Sequence, residues 1–255
     1  MASRYDRIGL NYAQLRKPDP RIAAAIDGAL GGARSVLNVG AGAGSYEPAG
    51  REVTALDPSI EMIRQRSAPA AAVVQGRAEE LPFGDDSFDA AMAALTVHHW
   101  SDRPEGLREI RRVTRGPVVI LAYDPGFRGF WLTDYLPELI GLDEAQMPRL
   151  TEYEKWLGPV TIVPVPIPHD CTDGFLCAYW RRPAAYLDPR ARAAMSSFWA
   201  LGDVSPALAR LEADLESGAW AERYGGLLAL DEHDCGYRLV VAGPDGTAGS
   251  RKGAR

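Results

Sequence analysis

Three alternating glycines, Gly40, Gly42 and Gly44, follow the apolar run SVLNV, and the next apolar run ends on a carboxylate, Asp57. Glycine tolerates positive φ and lets a ligand approach the backbone closely. A carboxylate at the end of a second parallel strand can accept both hydroxyls of a ribose. A dinucleotide site would also need a helix N-terminus beneath its pyrophosphate. Here only SYEPAGRE separates Gly44 from Val53, with Pro48 and Gly50 inside it, so about one turn of helix at most has room. The pattern favours a nucleoside ligand without phosphates and disfavours a nicotinamide dinucleotide.

A second set of reactive side chains lies further on. His98 and His99 stand together in VHHW, just past a fourth apolar run. One imidazole there could act as a general base or orient an acceptor, with helix capping or simple packing as the competing role. Asp124 ends a fifth run and either faces an acceptor or caps its own loop. His169 and Asp170 form another pair, for which a surface loop is the better reading. No short-range ligand spacing joins His98, His99 and His169, so no metal is expected. Arg108, Arg111, Arg112 and Arg115 share one helical segment, where a solvated face is favoured over an anion site. The pair Arg181-Arg182 is expected to be exposed rather than to meet an acceptor carboxylate.

An α/β sheet would position these groups. Strand-like runs fall at 35–39, 52–57, 72–75, 88–94 and 117–123, continuous apolar stretches of the kind found where both faces of parallel strands are covered. Asp19-Pro20 opens a helix, Ile22, Ile26 and Leu30 recur at helical spacing, and Gly31-Gly32 stop it. Leu107, Ile110 and Val113 mark the buried side of a helix over 103–115. After Asp124 the chain becomes aromatic and proline-broken. A strand, VTIVPVPIP, is expected at 160–168, helices around 173–182, 189–201 and 206–217, and a last strand, YRLVVA, at 237–242. The expected organisation is a nucleoside-binding core over 1–124 and cap insertions over 125–236 that include the strand near 160–168. The final strand at 237–242 and a disordered tail over 243–255 follow. Phe127, Phe130, Trp131, Tyr135, Trp156, Phe175, Tyr179, Trp180, Phe198 and Trp199 lie in the insertions. Two or three of them would line an apolar acceptor pocket, and the rest would be cap core.

With 28 Lys+Arg against 34 Asp+Glu, the 255-residue chain carries a net charge of −6, which argues against sequence-independent nucleic-acid binding. Its start lacks the apolar core of a signal peptide, and no apolar run is long enough for a bilayer. Three cysteines with no C-x-x-C pair fit reduced thiols. A cytoplasmic protein without nucleic-acid or membrane partners is expected; its oligomeric state is not legible.

S-adenosylmethionine is a nucleoside ligand of the required kind, with adenosine for Asp57 and an amino-acid end for the glycine turn. VLNVGAGAGSYEP, TALDPS, GRAEELPFGDDSFDAAMAALTVHHW and GLREIRRVTRGPVVIL resemble, in order, the motifs of class I S-adenosylmethionine-dependent methyltransferases. The resemblance covers about residues 1–123. The group is the methyltransferase type 11-like one, which includes menaquinone, ubiquinone and natural-product enzymes. It implies a doubly wound, Rossmann-like seven-stranded sheet of order 3-2-1-4-5-7-6, strand 7 antiparallel, carrying helical cap insertions, with VTIVPVPIP and YRLVVA as the last strands. It also implies that Gly40, Gly42 and Gly44 line the methionine moiety and that Asp57 holds the ribose. Pro58 and Ser59 would sit by the adenosine, and Ala78 and Glu79 would contact adenine through backbone and carboxylate. The backbone of Leu95 would lie near the cofactor amino group. YDRIGLNYAQLR resembles the segment that folds over the cofactor, implying Tyr12 and Arg16 near its carboxylate. Asn38 replaces the acid common in the first motif, and the helix after the glycines is unusually short. The implied activity is methyl transfer to a small organic molecule of specialised or quinone-like metabolism, with S-adenosylhomocysteine as product. Binding of the sulfonium ligand without methylation is the alternative.

Overall fold

The apolar runs become strands whose two faces are both covered. In the computed structural model, which describes residues 16–67 and 71–244, β1 (Ser35–Val39), β2 (Glu52–Asp57), β3 (Ala72–Gln75), β4 (Ala90–Ala94) and β5 (Val118–Tyr123) pair in parallel. The late strands β6 (Val160–Pro164) and β9 (Tyr237–Ala242) complete the sheet in the order β3-β2-β1-β4-β5-β9-β6. β9 runs antiparallel to both of its neighbours. With β9 as the seventh strand of the sheet, this is the expected order. One core cluster packs Ile22, Ile26 and Leu30 with Val36, Val119 and the cap; the other packs Leu107, Ile110 and Val113 with Leu37, Val118 and Ile120.

The expected strand 160–168 divides. After Pro164 the chain leaves the main sheet, and β7 (Ile167–Pro168) pairs instead with β8 (Glu232–His233). Val165 still donates its N–H to Tyr237 O at 2.9 Å. Proline lacks the donor that a continuous ladder requires, which is why a run with three prolines cannot stay paired. The cap is also less helical than expected. Residues 173–182 hold only the 3-10 turn Leu176–Tyr179, and 189–201 hold the short helix Pro189–Ala193 and the 3-10 turn Ser196–Trp199. Only the third cap helix forms as foreseen, over Ser205–Ser217. The strand expected from residue 88 begins at Ala90, with Phe88 in an isolated bridge to Thr114. The tail expected from Gly243 lies, beyond Pro244, outside the described residues. Gly243 itself accepts a hydrogen bond from Arg111 at 3.0 Å.

In the segment 103–115, Arg108 lies on a solvated face beside Glu105 as expected, whereas three other arginines reach further. Arg112 donates to Leu81 O and Phe83 O, Arg111 to Gly116 O, and Arg115 to the Asp89 carboxylate. They brace loops at the end of the sheet away from the ligand clefts. Arg181 and Arg182 do the same in the cap, donating to Leu230 O, Cys171 O and Ala178 O. Among the described residues no helix is long and apolar enough to cross a membrane.

Asp19 ties the first helix to the cap. It is fully buried, accepts Arg21 N–H as the N-cap of Pro20–Ala29, and also accepts Thr172 N–H at 3.1 Å. Burial raises this carboxyl, but hydrogen bonds from Arg21 and Thr172 outweigh it and bring it down to about 2. Its stabilisation is complete above the unfolded value near ~3.9 and is lost as pH falls through the folded one. Asp19→Ala should therefore cost about 1–2 kcal/mol at neutral pH. In denaturant melts the gap to wild type should close between pH 4 and pH 2.

Candidate active site

The turn after β1 is held by side chains in place of a helix. Gly40 (φ +71°) donates its N–H to Leu56 O at 2.8 Å, and a Cβ there would fall 2.1 Å from Thr96 Oγ1, so no other residue fits. Gly42 (φ +52°) donates its N–H to Asp57 Oδ2 at 2.7 Å. The other oxygen of Asp57 accepts Ser59 N–H at 2.8 Å. One carboxylate at the end of β2 thus fixes both the glycine turn and the loop that follows it.

Residues 45–51 contain no helix. Glu47 from this segment turns back beneath the glycines, where both its oxygens accept from Arg66 Nη2 at 2.7 Å and Oε1 also accepts from Asn38 Nδ2 at 3.2 Å. Arg66 reaches Gly42 O at 3.4 Å and is only 4% exposed. The acid that position 38 lacks is supplied nine residues later, from the loop. Sequence reading missed Glu47 because its role exists only once the loop folds back.

These elements wall a cleft of about 480 Å³, of the size that takes a nucleoside-type ligand. Gly40, Gly42, Asp57, Pro58, Ala78, Glu79 and Leu95 all line it, as does Arg16; Gly44 stands behind it, against Arg66 and Glu47. Glu79 does more than face the cleft. Its Oε1 accepts Ser101 N–H (2.8 Å), Ser101 O–H (2.7 Å) and Asp102 N–H (3.2 Å), holding the entry to the helix Arg103–Val113. Burial would raise its pKa, but these donors keep it below the usual range. Arg16 forms an ion pair with Asp173, which also accepts Tyr46 O–H at 2.6 Å. Tyr12 lies outside the described residues.

A smaller recess of about 70 Å³ adjoins the cleft, and Arg16, Leu95, Thr96, His98 and His99 line both. The shared wall is made by an abrupt turn. Leu95 leaves β4 with φ +53°, its N–H on Leu121 O at 2.9 Å, and the single 3-10 turn Val97–His99 follows. The histidine rings lie against each other, centroids 3.8 Å apart and planes tilted by 49°. Burial, with the charges of His99 and Arg103, pushes the His98 pKa well below the ordinary imidazole value, so His98 is a neutral acceptor at physiological pH.

Asp124 does not reach either space; its Oδ1 caps Gly126 N–H at 2.9 Å. His169 bonds Asp231 O on the surface. Among the described residues no three His, Cys, Asp or Glu side chains are grouped for a metal. Of the ten aromatics expected to supply the acceptor pocket, Phe175 is the one among the recess lining, beside Tyr123, Tyr153 and Tyr237; Phe130, Tyr135 and Tyr179 pack against Trp131 and Tyr186 instead. The recess also holds Asp143, from the helix Glu138–Gln146. Its carboxyl is raised to about 7 by burial, which the charge of Arg128 only partly opposes. Nothing local in the sequence marks Asp143, since an acid in an ordinary helix is normally solvent-facing.

Residues 37–120 match a family model described as a methyltransferase domain. The chain is 34% identical over 149 residues to the demethylmenaquinone methyltransferase of Renibacterium salmoninarum, covering 53% of this chain and 62% of that one. It is 32% identical over 108 residues to a 2-methyl-6-phytyl-1,4-hydroquinone methyltransferase of Oryza sativa, covering 41% and 30%. The matches thus span less than two thirds of these curated relatives. A solved structure from Anabaena variabilis, described as a candidate methyltransferase from an antibiotic biosynthesis pathway, superposes with a TM-score of 0.80 at 35% identity, over 89% of this chain and 98% of that one.

Two variants check the site. Glu47→Gln strands the buried Arg66 charge and should cost about 3–5 kcal/mol, whereas Glu47→Gln combined with Arg66→Met should recover most of that loss in denaturant melts. Asp143 has a raised folded pKa, so its contribution is full below ~4 and is lost as pH rises through about 7. Asp143→Asn should therefore gain melting temperature over wild type at pH 8 and not at pH 4.

Proposed function

We propose that this chain, which belongs to the class I S-adenosylmethionine-dependent methyltransferases, methylates a compact organic acceptor seated in the inner recess. The observation that carries the reading is that the large cleft and the recess share one wall, Leu95 to His99. A donor held on one side and an acceptor on the other would meet there. When bound, S-adenosylmethionine supplies a methyl group already activated on a sulfonium, so the chain's main task is alignment in a dry site. Asp57 would take the ribose, the Gly40–Gly44 turn the methionine end, Pro58 and Ala78 the adenine side, and Leu95 the amino group. Arg16, shared between Asp173 and the cleft, would face the cofactor carboxylate. The neutral imidazole of His98 stands at the junction and would accept a proton from the acceptor, with the His99 ring tilted against it.

The quinone-methylating relatives match only parts of this chain, 41% and 53% of it. Their likeness therefore speaks for the donor side. The Anabaena likeness extends through the cap, and a recess of about 70 Å³ has no room for a prenyl tail. Both points support a compact acceptor of specialised metabolism over a prenylated quinol.

Calorimetry should show S-adenosylhomocysteine binding and no NAD binding. Asp57→Ala should weaken the former roughly 10- to 100-fold, the loss of one or two charge-assisted hydrogen bonds; unchanged affinity would remove the ribose assignment. With an acceptor in hand, His98→Ala should lower kcat by about 10²–10⁴ and leave S-adenosylhomocysteine affinity near wild type. Full turnover in that variant would leave positioning alone to explain catalysis.

A further inference from the structure

Among the described residues four aspartates are nine-tenths buried: Asp19, Asp57, Asp143 and Asp173. Three are satisfied by the protein. Asp19 holds Arg21 and Thr172, Asp57 holds two backbone N–H groups, and Asp173 holds Arg16 and Tyr46. Asp143 differs. Among the described residues no group donates to its carboxylate or pairs with it, yet it is only 7% exposed and lines the recess. A buried carboxylate without a partner is costly, and here the open side is a cavity. A ligand entering that cavity could therefore supply the partner that no described residue provides.

The surroundings specify its charge. Tyr123 and Tyr237 from the sheet, Tyr153 from the helix Leu150–Leu157, and Phe175 from the cap bring aromatic rings to the same recess. Ring faces attract a desolvated cation. Among the described residues the nearby cations do not take its place: Arg16 is engaged by Asp173, Arg128 by Glu144, and His98 is held neutral. His99 lies on the junction wall, at the mouth. Resting on the acceptor reading of the recess, we propose that the methyl acceptor carries a basic amine, bound as its ammonium against Asp143 among these rings, at the end away from the atom methylated beside His98. A neutral hydroxyl would leave the ionised carboxylate uncompensated; an ammonium completes it. Asp143 is then a specificity-determining residue, acting on the acceptor and not on the donor cleft, which it does not line.

Ethylamine and ethanol, matched in shape and small enough for a recess of about 70 Å³, test this on the protein saturated with S-adenosylhomocysteine. Calorimetry at pH 8 should give at least tenfold tighter binding of the amine. That preference should weaken as pH falls from 8 to 5.5, where the Asp143 carboxyl becomes protonated, and should vanish in Asp143→Asn. In wild type with ¹³C-labelled aspartate carboxyls, ethylamine should move one midpoint downward from near 7, a readout that does not depend on the variant folding. Equal binding of amine and alcohol, binding of neither, or a preference that survives Asp143→Asn overturns the proposal. The S-adenosylhomocysteine titration made first reads separately on the methyltransferase assignment: its failure would sink that reading, whereas its success with no amine preference sinks only this one.

Discussion

The carboxylate of Asp57 holds together two segments that would otherwise be independent loops. Through Gly42 N–H it fixes the turn after β1, and through Ser59 N–H the turn after β2. Parallel neighbouring strands end side by side, so one short acid at the end of β2 can reach both. The ligand cleft depends on that geometry. With no helix beneath the glycines there is no macrodipole to order the turn, and hydrogen bonds and one buried ion pair do so instead. Glu47 and Arg66 form the floor; Gly40 passes so close to Thr96 that a methyl group could not be inserted. A turn ordered in this way presents backbone to its ligand without offering a phosphate site.

A second constraint sits at the end of β4. Leu95 adopts a left-handed conformation unusual for a branched side chain, and strain of this kind persists only where the surroundings enforce it. The Leu95 N–H remains paired with β5 while the chain turns into Val97–His99. This sharp exit makes one thin wall serve two cavities. It also places a neutral imidazole at their junction, where a more gradual loop would have filled the space with backbone.

The cap owes its form to proline and to aromatic packing. Its prolines prevent a continuous strand over 160–168, and its short turns are fastened by Arg181 and Arg182 to backbone carbonyls. Most of its aromatic rings are spent on its own core around Trp131. The acceptor side is lined by tyrosines that belong largely to the sheet and to the helix Leu150–Leu157.

The sequence by itself marked the strands of the sheet and Gly40, Gly42 and Asp57, which line the cleft; the strand order followed only from the family resemblance. Those features are local: strands are continuous apolar runs, and a positive-φ turn demands glycine at fixed spacing. Even the absence of a helix after Gly44 was legible, because eight residues with a proline and a glycine cannot form one. Tertiary structure alone decided the rest. Glu47 becomes the missing acid of the turn only when its loop folds back on Arg66. Three arginines of the segment 103–115, legible as a charged face, turn out to be braces because carbonyls from distant loops lie within their reach. Asp143 sits in an ordinary helical stretch, and its burial follows from the tyrosines that the sheet and cap place around it. Periodicity reports which way a residue faces along its own element; it carries no information about what another element brings to meet it.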